Sequence, residues 1–358
     1  MKRLSDIGWD EFHSLPLEEK RPYLERDGGK GEPFHTLFAQ QFDRPLLERL
    51  AALANHIRFL SKKKEGAMWL KSLLPHKRAM LYFSQPSSRT FLSHLAACQI
   101  LGLTTGSVRD TSISSEFKGE SKEDSIRTFS SYFDLIIMRT PEQGLAEKMA
   151  WALSNSERPV PILNAGSGKD QHPTQALLDI YTLLRSFEEK GGLHDRTVVF
   201  CGDLLRGRTV HSLSYLLTNF PRIRQVFVAP DALQADESTF AALRARGADF
   251  EVSNDLRAAV KTADAVYMTR IQDEWDAAKG DSAKIDTSRF KFGAEELALL
   301  PPHGVIMHPL PRRDEIAVCC DGDPRAMYWR QMRNGMWIRA ALIATTFGFE
   351  DAILSRAL

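Results

Sequence analysis

Short apolar runs at Met80–Phe83, Leu135–Met138 and Val160–Leu163 alternate with longer stretches, 122–133 and 144–153, whose apolar residues recur at helical spacing. That alternation predicts βαβ units and a parallel sheet. Ahead of them, Asp43-Arg44-Pro45 supplies an N-cap and a first-turn proline. Leu46, Leu47, Leu50, Leu53 and Ile57 then follow on one helical face. Segment 173–190 is long, periodic and stopped by Gly191-Gly192, which predicts a helix and then a break between domains. A second series follows, with strand-like runs at Val198–Cys201, Gln225–Val228, Ala265–Met268 and Val305–Met307 separated by helical patterns at 208–219 and 235–246. The stretch 324–348, with Tyr328, Met332, Ile338, Leu342 and Ile343, predicts one or two closing helices. The expected fold is α/β. It has two doubly wound domains, each with a central parallel sheet flanked by helices, joined by interdomain helices. The expected divisions are an N-terminal extension at 1–34, domains at 35–184 and 185–323, and C-terminal helices at 324–358. No sequence repeat relates the two halves.

Composition narrows the function. A chain of 358 residues, 43% of them hydrophobic, is long enough for two cores. Lysine plus arginine number 47 against 46 for aspartate plus glutamate. No overall basic field therefore exists to hold nucleic acid or an anionic membrane, and anion binding must be local. Cys98, Cys201, Cys319 and Cys320 are too few for a disulfide scaffold and lack paired C-x-x-C spacing, so a reducing, cytoplasmic setting without a zinc site is expected. No signal segment or membrane-spanning run is visible. Segment 1–34 is charged and broken by Asp27-Gly28-Gly29, as in a solvated tail or an arm docked on a neighbouring subunit. Cys319-Cys320 is expected on a surface loop.

Three separated stretches carry the chemistry: Ser87-Ser88-Arg89-Thr90, His172-Pro173-Thr174-Gln175 and His308-Pro309-Leu310-Pro311-Arg312. Each lies just beyond an apolar β-prone run, and open α/β sheets bind ligands outside the carboxyl ends of their strands. The first has the order strand, turn, helix start. Unpaired amides there, the hydroxyls of Ser87, Ser88 and Thr90 and the forked Arg89 suit a phosphate, although an ordinary N-cap with one surface arginine has the same pattern. Arg139 emerges at a strand end as a second cation or a solvated charge, and Lys118 carries the same ambiguity. His172, near a helix start after the loop Asn164–Gly168, and Gln175 are either donors to a carbonyl oxygen gaining charge or a cap plus a surface amide. The neighbouring helix start favours a neutral His172. Gly202 and Gly207 do not supply the G-x-G-x-x-G turn of a dinucleotide site, so Arg208 and Thr209 suit a carboxylate better. Thr269-Arg270-Ile271-Gln272 offers a second guanidinium at a strand end.

Together these residues resemble the aspartate/ornithine carbamoyltransferase family over about 35–350, and its aspartate branch more closely. The S-x-R-T and H-P-T-Q stretches mark the whole family; His308-Pro309-Leu310-Pro311-Arg312 and Thr269-Arg270-Ile271-Gln272 resemble the aspartate enzymes. The resemblance implies an enzyme moving a carbamoyl group from carbamoyl phosphate to L-aspartate in pyrimidine synthesis, with no cofactor or metal. It implies that Ser87, Ser88, Arg89, Thr90 and Arg139 hold phosphate, and that His172, Gln175 and the Pro309-Leu310 backbone address the carbamoyl group. Arg208, Arg270 and Gln272 would hold aspartate. A loop from the adjacent subunit, Ser114–Ser121, would lend Ser114 and Lys118, which implies a homotrimer with shared active sites; regulatory partners are unspecified. Arg89, Lys118 and His172 would be the catalytic residues, and the final helices would return to the first domain.

Two departures qualify this. Gln85 stands where many aspartate enzymes carry glutamate, and Trp275 where they carry an arginine. Both charges help hold the family's domains closed, so closure here is expected to use other contacts or to be weaker. Phe91 replaces a commonly basic position and is expected to pack in its helix. Alternatives are a carbamoyltransferase for another amine acceptor, a non-catalytic family-like subunit, and a nicotinamide-dependent dehydrogenase.

Overall fold

A computed structural model describes residues 2–109, 119–168, 171–276 and 280–357, the Trp275 side chain excepted. The chain forms two compact units, 1–178 with 333–358, and 179–332. The divisions fall inside the Pro173–Phe187 and Tyr328–Thr346 helices.

The first unit holds a four-stranded, all-parallel sheet in the order β2-β1-β3-β4. Its strands are β1 (Arg78–Phe83), β2 (Thr104–Val108), β3 (Leu135–Thr140) and β4 (Ile162–Ser167). Central strands buried on both faces must be apolar almost throughout, which is why β1 and β3 are legible as continuous runs. Strand β2 is polar, half exposed and at an edge, and no apolar run announces it. Strand β4 also departs from expectation. It begins two residues later than the predicted Val160–Leu163 and continues through Asn164–Ser167, expected as loop. Its polar atoms are satisfied locally: the Asn164 amide donates to the Leu37 carbonyl at 2.8 Å, and its oxygen accepts from the Gly166 amide at 2.8 Å.

The N-terminal segment is neither a solvated tail nor an arm on another chain. Leu4, Phe12 and Leu24 are buried in one core with Met80, Tyr82, Ile136 and Met149 of the same unit. Full burial of side chains of this size contributes about 1.5–3 kcal/mol each, which a solvated tail forgoes. Lys20, 3% exposed, donates to Glu147 at 2.6 Å, and the backbone of Thr36 pairs beside β4 through Thr36 N to Ile162 O at 2.9 Å and Asn164 N to Thr36 O at 2.8 Å.

The second unit holds a five-stranded parallel sheet in the order β7-β6-β5-β8-β9. Its strands are β5 (Thr197–Cys201), β6 (Arg224–Val228), β7 (Asp249–Ser253), β8 (Ala265–Met268) and β9 (Val305–Met307). Strand β7 is the second unpredicted edge, again polar and largely exposed. Cys320 corrects another expectation. It lies fully buried in the 3-10 turn Val318–Gly322, against the core that includes Val266 and Ile306, while its neighbour Cys319 is exposed.

Candidate active site

In the first unit the strand order reverses between β1 and β3, and at such a switch the crevice beyond the strand ends is open to a ligand. The predicted phosphate residues stand there. The Ser88–Leu101 helix starts directly after β1 with Ser87 at its N-cap, and Ser87 makes no side-chain capping bond to the helix amides. Register pairs Phe83 with Arg139, which brings Arg139 beside the turn after β1. The Gln85 amide donates to the Arg139 carbonyl at 3.3 Å. Between Met138 and Thr140 the β3/β4 register shifts, an irregularity of the kind that re-aims a side chain. The Arg139 guanidinium is buried and donates to the Ala165 carbonyl at 3.1 Å.

His172 starts the Pro173–Phe187 helix, its carbonyl accepting from the amides of Gln175 at 3.0 Å and Ala176 at 3.2 Å. Arg139 and His172 converge over Gly166. A Cβ built there would lie 2.5 Å from Arg139 Nη1 and 3.4 Å from His172 Cδ2, and the φ of +119° suits glycine. The first unit thus gathers Ser87, Ser88, Arg89 and Thr90 at one helix start, with Arg139 in register beside it and His172 facing Arg139. Gln175 is buried one turn along from His172. Phe91 is buried edge-on against Phe83, as its packing role requires.

Two supporting residues escaped the sequence reading. Arg339, on the Tyr328–Thr346 helix and 3% exposed, donates to Ser93 Oγ and, at 3.4 Å, to Thr174 Oγ1, so one guanidinium ties the S-x-R-T helix to the H-P-T-Q helix. His94 is fully buried and donates from Nδ1 to the Thr90 carbonyl at 2.8 Å. Burial, reinforced by the positive charge of Arg339, pushes its pKa far below the ordinary histidine value, so it is neutral. Each shows in the sequence only as a polar residue inside a helix.

In the second unit the switch lies between β5 and β8, and Gly202 lets the two strand ends touch. A Cβ there would stand 2.1 Å from the Thr269 carbonyl oxygen. Arg208 begins the helix after β5, and Arg270 and Gln272 follow β8. Asp203, fully buried, accepts from the amides of Arg206 at 3.1 Å and Gln272 at 3.0 Å, while Arg206 donates to the Gln272 carbonyl at 3.0 Å and Asp276 at 2.8 Å. These bonds position Gln272. Arg270 donates to the Ile271 carbonyl at 2.7 Å and grips Glu274 with both terminal nitrogens, one at 2.8 Å. Burial, the largest single influence, would raise Glu274, but the Arg270 hydrogen bond, a backbone hydrogen bond and the charge of Arg270 together hold that carboxyl below its usual range.

Pro309-Leu310 leaves β9 in a backbone set by His308. The Leu310 amide donates to His308 Nδ1 at 2.7 Å, so the ring hydrogen is on Nε2 and is donated to Glu315 at 2.7 Å. The His308 amide donates to Gln331, Gln331 to Asp179, and Tyr267 to Asp179, at 2.9, 2.7 and 2.8 Å, a buried polar relay beneath the loop. Leu310 takes φ +53° at the tip. Among the described residues no group of His, Cys, Asp or Glu is placed to hold a metal ion, and no described helix is long and apolar enough to cross a membrane.

Residues 35–185 match the family described as aspartate/ornithine carbamoyltransferase, carbamoyl-P binding domain, and residues 194–346 match its Asp/Orn binding domain. The chain belongs to the aspartate/ornithine carbamoyltransferase family. Among relatives of this carbamoyltransferase, the chloroplastic aspartate carbamoyltransferase of Oryza sativa is 40% identical over 310 residues, 85% of this chain and 82% of that protein. The aspartate carbamoyltransferase catalytic subunit of Vibrio cholerae is 40% identical over 278 residues, 76% of this chain and 85% of that protein. A crystal structure of aspartate transcarbamoylase from Trypanosoma cruzi, in complex with N-(phosphonacetyl)-L-aspartic acid, matches with TM-score 0.79 and 35% identity over 90% of this chain and 97% of that one. The family anticipated from the motifs is therefore the family found. Ser114 and Lys118 lie outside the described residues, as does the Trp275 side chain.

Proposed function

We propose that this carbamoyltransferase moves the carbamoyl group of carbamoyl phosphate to the amine of L-aspartate, giving N-carbamoyl-L-aspartate and phosphate for de novo pyrimidine biosynthesis. The observation that carries the reading is the meeting of Arg139 and His172 over Gly166, beside the helix start that bears Ser87–Thr90. Helix-start amides and a buried guanidinium suit a phosphate dianion, and a neighbouring imidazole suits the carbonyl attached to it.

In this mechanism Ser87, Ser88, Arg89, Thr90 and Arg139 hold the phosphate. Arg208, Arg270 and Gln272 hold the two carboxylates of aspartate. The neutral amine attacks the carbamoyl carbon, the carbon–oxygen bond to phosphate breaks, and the amine proton passes to the departing phosphate. His172, with Gln175 and the Pro309-Leu310 backbone, stabilises the carbonyl oxygen as it gains charge, and Arg89, Arg139 and Lys118 stabilise the leaving group. Positioning and electrostatics supply the rate. The reading includes a homotrimer in which Ser114 and Lys118 are lent by the adjacent subunit. It also includes a cytoplasmic setting, supported by four free cysteines, three of them buried.

The test is a carbamoyl phosphate assay with L-aspartate and L-ornithine side by side, followed by sedimentation of the purified protein. Carbamoylation of aspartate alone by a trimer is expected. Product from ornithine, or no product from either, overturns the reading.

A further inference from the structure

Residues 269–276 and 308–315 leave adjacent strands, and a cavity of about 100 Å³ lies between them, with Thr269 and Ile271 on one wall and Arg313 and Glu315 on the other. Polar bonds hold the first segment from both sides. Its Gln272 is held from the β5 side by Asp203 and Arg206. The next residue, Asp273, is held from the β9 side, where Arg313 donates to both carboxylate oxygens at 2.9 and 2.8 Å.

The charges explain why this matters. Arg270 is already gripped by Glu274, and Asp273 Oδ1 lies only 3.8 Å from Arg270 Nη1. Two carboxylates thus stand within reach of one guanidinium that, on the reading above, receives a substrate carboxylate. The Asp273–Arg313 pair is half open to water, with side-chain exposures of 48% and 51%, so it adds little to folding stability. Its geometry is two-pronged and directional, which suits a positioning role.

We propose that Arg313 is a positioning residue for acceptor binding: it engages Asp273 and keeps that carboxylate from closing on Arg270 beyond its present 3.8 Å, which limits its competition with the acceptor. The inference rests on the assignment of Arg270 to the acceptor. Without Arg313 the group Arg270, Glu274 and Asp273 carries a net negative charge, which repels a dicarboxylate; with it the charges cancel.

The test is steady-state kinetics of full-length Arg313→Gln, Arg313→Lys and Asp273→Asn/Arg313→Gln enzymes. Arg313→Gln is expected to raise the aspartate KM about tenfold, an effect of the size seen for removing one side of a close charge pair, with kcat and the carbamoyl phosphate KM within about threefold. Removing the competitor as well should bring the double variant back to within about threefold of the wild-type aspartate KM, and Arg313→Lys, which keeps the charge, should stay there too. Added salt should narrow the Arg313→Gln defect. An unchanged aspartate KM in Arg313→Gln overturns the proposal, as does a double variant no better than the single one. An Arg270→Ala enzyme that keeps its aspartate KM would instead remove the assignment beneath it.

Discussion

Each unit places an arginine near the carboxyl end of the strand next to its topological switch, Arg139 within the last residues of β3 and Arg270 just past β8, yet the two are housed differently. Arg139 is 8% exposed and bonded to a backbone carbonyl, with a buried histidine on the next helix facing it. Arg270 keeps 17% of its side chain exposed and is gripped by the carboxylate of Glu274. In the first case the fold buries and aims the guanidinium, and on the proposed assignment an arriving dianion meets a charge already in place. In the second the fold supplies an internal carboxylate, which on the proposed assignment shares the guanidinium with a ligand carboxylate. One unit prepares its cation by burial, the other by an internal carboxylate.

The contrast can be broken most directly by truncating each cation. Arg139→Ala is expected to lower kcat/KM for carbamoyl phosphate by about 10³-fold, whereas Arg270→Ala should raise the aspartate KM about 100-fold and leave carbamoyl phosphate affinity nearly unchanged. Calorimetric titration of both variants with carbamoyl phosphate checks this; equal losses in the two would end the distinction.

The glycines at the two switches sharpen it next. Gly202→Ala drives a Cβ to 2.1 Å from a backbone oxygen, while Gly166→Ala meets, at 2.5 Å, the end of a side chain that can yield. Both positions have φ near +120°, at +122° and +119°. Alanine should therefore cost about 1–3 kcal/mol at Gly166, and more at Gly202, in denaturant titrations. The reverse ranking would mean that the Arg139 side chain is the more rigid neighbour. Arg339→Met should cost about 1–3 kcal/mol by leaving polar groups of two first-unit helices without their shared donor, again measured by denaturation.

Acid offers the mildest probe. In the first unit His35 is fully buried, accepts from the Ile162 amide at 3.1 Å and donates to Ser154 at 2.8 Å, and burial lowers its pKa to about 3. A buried histidine lowered in this way takes up its proton more readily unfolded than folded. Its contribution is complete above pH about 6.5 and is lost as pH falls toward about 3, by at most about 1.4 kcal/mol per pH unit. His94 acts in the same direction. Among histidines of the second unit, burial lowers His211, where hydrogen bonding and nearby carboxylates oppose it. Hydrogen exchange followed from pH 7 to 5 should show the first unit loosening earlier.

The strands that lead to the candidate site residues were legible because they are buried and largely apolar, and the helix starts because Asp43-Arg44-Pro45, Ser87 and His172-Pro173 punctuate them. The edge strands β2 and β7 were not, since half-exposed polar residues carry no period that separates strand from loop. The fate of residues 1–34 was hidden for a related reason. Leu4, Phe12 and Leu24 are scattered among charges, and only the sheet surface they meet shows that they belong together. Arg339 was invisible because a buried arginine needs partners from two other helices, and those partners lie far away in the chain. The Asp273–Arg313 bond, spanning 40 positions, is of the same kind.

The backbone of Thr36 beside β4 has a further consequence. A parallel sheet that stops at β4 would present a row of unpaired amides and carbonyls, a template for another chain. The segment leading out of the N-terminal region occupies that flank, so a deletion that runs through residue 36 would remove a guard against strand-to-strand association and expose that edge to another chain.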